Sequence, residues 1–171
     1  MRKVEVKPYS VKWKLDFETE SKRLQVIFGS EVTDIHHIGS TSIYGLAAKP
    51  IIDMMPIVKD ISQIDRFNAE MARVGYEAKG ENGIPGRRYF QKGGNERTHH
   101  VHIYDEGSQE IERHLAFRDF LRSHPSIAKQ YCELKEELAR QFPDDIQAYI
   151  EGKASFASEI ERQAVRWYRK L

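Results

Sequence analysis

A single cysteine, Cys132, in 171 residues leaves no thiol to pair with inside the chain. An internal disulfide is excluded, and a reducing compartment suits the protein. No window approaches the roughly eighteen consecutive apolar residues of a membrane span, and the start, Met1-Arg2-Lys3-Val4-Glu5-Val6, lacks the apolar stretch of a secretion signal. The expectation is a cytoplasmic protein with no membrane partner. Charge of one sign is also missing: 27 Lys and Arg against 26 Asp and Glu leave a net charge of +1. Binding to a duplex backbone draws on clustered basic residues, so duplex nucleic acid is not an expected partner, although a local basic patch for a nucleotide is compatible with the balance. Repeats, low-complexity stretches and linkers are absent. What remains, 40% hydrophobic and 31% charged residues, describes a globular chain of a length that suits one domain, 1–171.

The most informative stretch is His37-Ile38-Gly39-Ser40-Thr41-Ser42, followed by Lys49-Pro50-Ile51-Ile52-Asp53. Residues 32–38 predict a strand, and the small residues after it predict a tight turn. Such a turn suits phosphate: glycine permits close approach, hydroxyls add donors, and unpaired amides carry partial positive charge. A second strand over 50–58 is nearly continuous in apolar residues and is interrupted by Asp53. A carboxylate in such a run costs several kcal/mol if buried and unpaired, so it is expected at a cleft beside a cation or at least beside Lys49.

Around this pair of strands the pattern is mixed. Trp13, Phe17, Ser21, Leu24 and Phe28 mark a helix face that ends at Gly29. Asp60 and Gln63 resemble a capping box for a helix bearing Ile61, Ile64, Phe67, Met71 and Val74 and ending at Gly75. Strands are predicted over 76–78, 87–91 and 99–104, separated by Gly-rich turns. The rest is helical: Ser108, Ser126 and Asp144 (with Gln147) are the expected caps, and the last helix carries Ile146, Ile150, Ala157, Ile160, Ala164 and Trp167. The class is α+β, a sheet-containing core over about 1–106 and a helical C-terminal region over about 107–171.

Chemistry concentrates in few places. His100 and His102 share one face of a strand, because side chains alternate. As neutral rings they suit transition metals, and as N–H donors they suit phosphate. Arg87 and Arg88 must point to opposite faces, so one at most enters a given cleft. Arginine suits phosphate through its paired donors. Glu77, Glu81, Asp105 and Glu112 are further carboxylates that spacing does not rank. A serine hydrolase built on Ser40 or Ser42 lacks the Gly-x-Ser-x-Gly elbow, and Cys132 has no histidine at a telling spacing.

Several ordered blocks together resemble the GrpB family, known also as a domain fused to dephospho-CoA kinase in some bacteria. They are Pro8-Tyr9 with Trp13, His37-Ile38-Gly39-Ser40-Thr41, Gly45-Leu46-Ala47-Ala48-Lys49-Pro50-Ile51-Ile52-Asp53, Gly83-Ile84-Pro85-Gly86-Arg87-Arg88-Tyr89-Phe90, His100-Val101-His102, and the run from His114 to Pro125. The resemblance implies a nucleotidyltransferase-like fold, a mixed sheet flanked by helices, in which a Gly-Ser turn precedes a strand bearing metal-binding carboxylates two residues apart. Ser40 matches the turn and Asp53 the first carboxylate. The second position is Met55, which cannot ligate a hard cation. A smaller departure is Ser42-Ile43-Tyr44, where the family more often has Ala-Val-Pro.

The resulting expectation is a cleft for a nucleotide or another phosphorylated small molecule. Gly39, Ser40 and Thr41 hold phosphate, Lys49 and Arg88 neutralise it, Asp53 binds one divalent metal (Mg or Mn), and His100 and His102 line the opposite wall, with Asp53 and His102 as catalytic candidates. The reaction class is transfer of a nucleotidyl or phosphoryl group. The alternative, which Met55 favours, is a catalytically degenerate binding module, related through the fusion partner to coenzyme A metabolism.

Overall fold

The computed structural model describes residues 2–171. Helix α1 (Lys12–Phe28) leads through a short 3-10 turn into β1 (Val32–Ile38), and the Gly-Ser turn at 39–42 joins it to β2 (Ile52–Val58). Then come a 3-10 segment (Ile61–Phe67), helix α2 (Asn68–Arg73), strands β3 (Tyr76–Ala78), β4 (Arg88–Lys92) and β5 (His99–Asp105), and helices α3 (Gln109–Ser123), α4 (Pro125–Gln141) and α5 (Ile146–Tyr168). The five strands lie in the order β1-β2-β5-β4-β3. Only the β2–β5 contact is parallel, so the sheet is mixed and the fold α+β.

Strand alternation divides the core in two. Met54, Phe90, Val101 and Ile103 face α1 and α2, against Leu24, Phe28, Ile64 and Met71. Ile38, Met55 and Tyr104 face the opposite side, against Ile111 and Leu115 of α3. Helices α3 to α5 then close on one another through Ala116, Phe120, Tyr131, Ile160 and Ala164. Their attachment to the turn is polar: the Arg122 guanidinium donates to the Ser42 carbonyl at 3.0 and 2.8 Å, and Arg118 donates to the His37 carbonyl at 3.3 Å.

Four local expectations need correction. The helix predicted over 61–74 is wound as a 3-10 segment before it becomes α-helical, with its first amides drawn to Asp60 (Ser62 N, 3.0 Å) and to Asp105 on β5 (Ile61 N, 2.5 Å). Helix α4 begins at Pro125, whose fixed φ suits a first helical position, so Ser126 is not its cap. Asp145, rather than Asp144, caps α5 by accepting from the Ala148 amide at 3.0 Å. The buried stripe of α5 runs through Tyr149, Ile160 and Ala164, while Ile150 is 40% exposed.

On α1, Glu20 enters the apolar stripe where Ser21 was expected. It is buried, and it accepts from the Tyr76 hydroxyl and the Lys92 ammonium, each at 2.9 Å. Burial alone raises its carboxyl pKa, but the bonds from Lys92 and Tyr76 outweigh it and leave a net lowering from 4.5. A lowered folded value means that the charged node stabilises the protein above the ordinary carboxylate pKa, and that this stability is lost as pH falls below it. Glu20→Ala is therefore expected to cost about 2–3 kcal/mol at pH 7, with the deficit shrinking as urea titrations are repeated below pH 4.5. A constant deficit across that range contradicts the assignment.

Candidate functional site

The register of the sheet sets Ile38 beside Asp53, Asp53 beside His100, and His100 beside Gln91, in one row across four strands. Gly39 then turns with φ 71° and ψ −175°, a conformation in which only glycine is comfortable. A Cβ at this position would stand 2.6 Å from Asp53 Oδ2. The bare glycine lets the turn lie directly on the carboxylate.

Beyond the turn, Thr41 donates to the Ile51 carbonyl at 3.2 Å, so its hydroxyl oxygen accepts from His37 Nε2 at 2.9 Å. Burial lowers the His37 pKa to about 4, which keeps the ring neutral and consistent with that tautomer. Ser42 Oγ donates to the Gly39 carbonyl at 2.5 Å.

Asp53 Oδ1 lies 3.2 Å from His102 Nε2 and 3.4 Å from His100 Nδ1. The outer nitrogens of both rings face arginines: Arg87 approaches His102 Nδ1 at 3.3 Å, and Arg97 approaches His100 Nε2 at 3.4 Å. A guanidinium can only donate, so it favours the tautomer whose N–H points at Asp53. Burial raises the Asp53 carboxyl pKa, and the two histidine bonds and their charges reverse this, holding it far below the usual carboxylate range. Burial also lowers His102, against the pull of Asp53, so the pair is a carboxylate receiving N–H bonds from a neutral ring.

A cavity of about 290 Å³ opens on this group, lined on the sheet side by Ser40, Thr41, Lys49, Asp53 and His100. A hollow of about 370 Å³ beside it shares Lys49 and is lined also by Arg97. The helical wall contributes Lys135, Tyr149 and Lys153. Lys135 is 1% exposed, and neither its ammonium nor the Tyr149 hydroxyl has a hydrogen-bond partner among the described residues. The ammonium of Lys49 stands 5.3 Å and that of Lys153 5.2 Å from the centre of the Tyr149 ring, and that of Lys135 stands 4.8 Å from the Tyr131 ring. Such ring contacts are worth about 0.5–2 kcal/mol each, less than the several kcal/mol that burying an ammonium costs. Burial and mutual repulsion accordingly lower Lys49 to about 8 and Lys135 to about 7.

The structure brings Gly39, Ser40, Thr41, Lys49, Asp53, His100 and His102 into one neighbourhood, with His100 on the cavity wall and His102 behind Asp53. Arg88 is not brought there: its neighbours Tyr89 and Gln91 pair with the histidines on one face, so Arg88 points to the other and pairs with Asp65 at 2.8 Å. Of this adjacent pair it is Arg87 that faces the histidines, anchored by the Glu81 and Asn82 carbonyls, while the arginine on the cavity wall is Arg2. None of the four additional carboxylates reaches the cavity. Glu77 accepts from Gln91, Glu81 from the Gly86 amide, Asp105 from the Ile61 amide and Glu112 from Arg169. Lys135, Tyr149 and Lys153 were missed altogether. A signal for them existed, since Lys135 stands four residues after Tyr131 and three before Leu138, within a buried stripe.

One carboxylate oxygen and one nitrogen from each imidazole lie within 4.8 Å of one another. This donor set fits a divalent cation. An oxygen with two imidazoles suits manganese or zinc better than magnesium, which demands oxygen ligands. The anchored Arg87 opposes ligation by His102, whose Nε2 would have to give up its proton while Nδ1 took one facing a donor. Arg97 opposes ligation by His100 in the same way, but from a half-buried position where Arg87 is buried, so Asp53 is the best-placed ligand and His100 the second.

A mixed sheet flanked by helices, with a Gly-Ser turn set against a strand carboxylate, is a nucleotidyltransferase-like fold. The chain belongs to the GrpB family, whose model, described as "GrpB protein", matches residues 3–163. It is 56% identical to UPF0157 protein YqkA of Bacillus subtilis over 166 residues, 97% of this chain and 48% of that protein, so it spans about half of that relative's length. It resembles dephospho-CoA kinase of Mycolicibacterium paratuberculosis at 24% identity, over 96% of this chain and 46% of the kinase. Among solved structures, conserved protein GrpB from Enterococcus faecalis superposes with a TM-score of 0.93 at 47% identity, covering 96% of this chain and 99% of that one. Cid1, an RNA terminal uridylyl transferase, superposes with a TM-score of 0.51 at 17% identity, over 79% of this chain and 43% of its own. The last likeness concerns the fold alone.

Proposed function

We propose that the cavity binds a nucleotide or another phosphorylated small molecule, with one divalent cation held at Asp53. The observation that carries this reading is the placement of Asp53, fixed under the Gly39 turn and hydrogen-bonded by two imidazoles, at the wall of a cavity whose other polar lining is hydroxyls, lysines and Arg2. Ser40 and Thr41 offer short donors to a phosphate oxygen, and Lys49 offsets its charge. His100 shares the cation, and His102, kept in one tautomer by Arg87, orients the carboxylate. A cation bound there supplies Lewis-acid polarisation of a phosphoryl oxygen. The reaction class that this chemistry supports is transfer of a nucleotidyl or phosphoryl group.

The second reading, a catalytically degenerate binding module, is favoured by Met55. Its side chain is fully buried against Ile38 and Tyr104, so the position offers no ligand to a second cation. Titrating Mn²⁺ and Mg²⁺ while recording nucleotide affinity separates the two. On the first reading Mn²⁺ tightens binding more than Mg²⁺ does, and Asp53→Asn removes the metal dependence by about tenfold or more. Affinity indifferent to metal in both proteins, without turnover, leaves only the module.

A further inference from the structure

The lysines around the cavity have no carboxylate of their own among the described residues. Lys49, Lys135 and Lys153 make no ion pair among the described residues, and the acid they face across the cavity, Asp53, is occupied by two histidines. Glu136, beside Lys135 on α4, accepts instead from the Cys132 thiol at 3.2 Å. Helices α4 and α5 therefore hold positive charge inside the protein that no carboxylate among the described residues pairs with directly. Tyr149, whose ring stands against Lys49 and Lys153, carries a buried hydroxyl with nothing to donate to among the described residues. A fully buried lysine can persist unpaired when its partner arrives from solution.

We infer that Lys49, Lys135, Lys153 and Tyr149 form a receptor for a phosphoanhydride chain of two or more phosphates, which faces Asp53 across the cavity. This rests on the reading of the cavity as a phosphate site, and it narrows the ligand from any phosphorylated molecule to one carrying a diphosphate or triphosphate. A single phosphate brings at most two negative charges, fewer than the positive charges that Lys49, Lys135, Lys153 and Arg2 can present around the cavity to a bound anion. A phosphoanhydride chain brings three or more, distributed along a length that several lysines can share.

The test uses inorganic anions without metal. In EDTA, calorimetric titration of the full chain is expected to give pyrophosphate and tripolyphosphate affinities at least about tenfold tighter than orthophosphate, and Lys135→Met and Lys153→Met are each expected to weaken pyrophosphate by about tenfold. Tyr149→Phe should weaken it less. The inference is overturned if pyrophosphate binds no tighter than orthophosphate, or if both lysine variants, folded by circular dichroism, bind within about twofold of wild type. Should Lys135→Met not fold, Lys153→Met decides alone, because its side chain is only half-buried. Asp53→Asn separates this result from the metal reading. Metal-free pyrophosphate binding at least as tight in that variant, with no gain from Mn²⁺ in either protein, sinks the cation site and leaves the lysine receptor. Mn²⁺ binding lost in Asp53→Asn, with pyrophosphate indifferent to the lysines, does the reverse.

Discussion

Gly39→Ala is expected to destabilise the protein and to abolish cation binding at Asp53 in one step. Two costs combine. The backbone at φ 71° and ψ −175° lies where only glycine is at ease, so alanine forfeits about 1–3 kcal/mol even with space available. Space is not available: the new methyl would stand 2.6 Å from Asp53 Oδ2 and 3.0 Å from Asp53 Cβ. Oδ2 could rotate away only if the whole carboxylate turned and Oδ1 lost the bonds it receives from His100 and His102, and Cβ cannot rotate at all, so β1 and β2 must separate at the row Ile38–Asp53. Gly45→Ala is the control. Gly45 also has positive φ, at 80°, but a Cβ there meets nothing within 4 Å. It should lose stability from the backbone alone and keep its affinity for Mn²⁺. If Gly39→Ala melts and binds Mn²⁺ as Gly45→Ala does, the contact between turn and carboxylate is not what forms the site.

The strand pair that carries this contact was legible because its signals are local. Apolar runs of strand length and a Gly-Ser turn depend on neighbouring residues, and so does a carboxylate standing alone among Ile and Met. What the sequence did not disclose was parity and partnership. Whether Arg87 or Arg88 faces the site depends on which residue of β4 pairs with His102, a matter of register between two strands rather than of local spacing. The same parity put Arg88 with Asp65. Lys135 and Lys153 were hidden for a different reason. A lysine at the edge of an apolar stripe ordinarily extends its ammonium to water, and only the packing of α4 and α5 on one another closes that exit. Tyr149 in place of Ile150 follows from the same packing, which buries the tyrosine against Val4 and Leu138 while Tyr149 and Ile150 both border the cavity.

Lys135→Met is expected to stabilise the protein, by about 1–4 kcal/mol at pH 6–7 on the scale seen when buried charges give way to apolar groups, while removing the anion site. The ammonium is buried against the Tyr131 ring and hydrogen-bonds to nothing among the described residues. Methionine is of similar length, keeps the ring contact through sulfur and needs no partner. The sign of the pH dependence follows from burial, which, with Lys153 and Lys49 nearby, lowers Lys135 from 10.5 to about 7, while Cys132 and Glu136 pull weakly the other way. Between those values the unfolded chain holds a proton that the folded chain has released, so wild-type stability rises with pH across the window. Below it the folded protein bears the full penalty. The advantage of Lys135→Met is therefore largest below pH 7 and fades as pH approaches 10. Lys49 and Lys153 are lowered by the same burial and leave part of the slope in the variant. Tyr131 and Tyr149, whose pKa values burial raises, affect stability only at higher pH. Urea unfolding at pH 6, 8 and 9.5 measures the difference. A variant less stable than wild type at pH 6, or with an undiminished slope, means that Lys135 is paired in solution. A more stable variant that no longer binds pyrophosphate means that the chain retains an unfavourable charge because its ligand requires it.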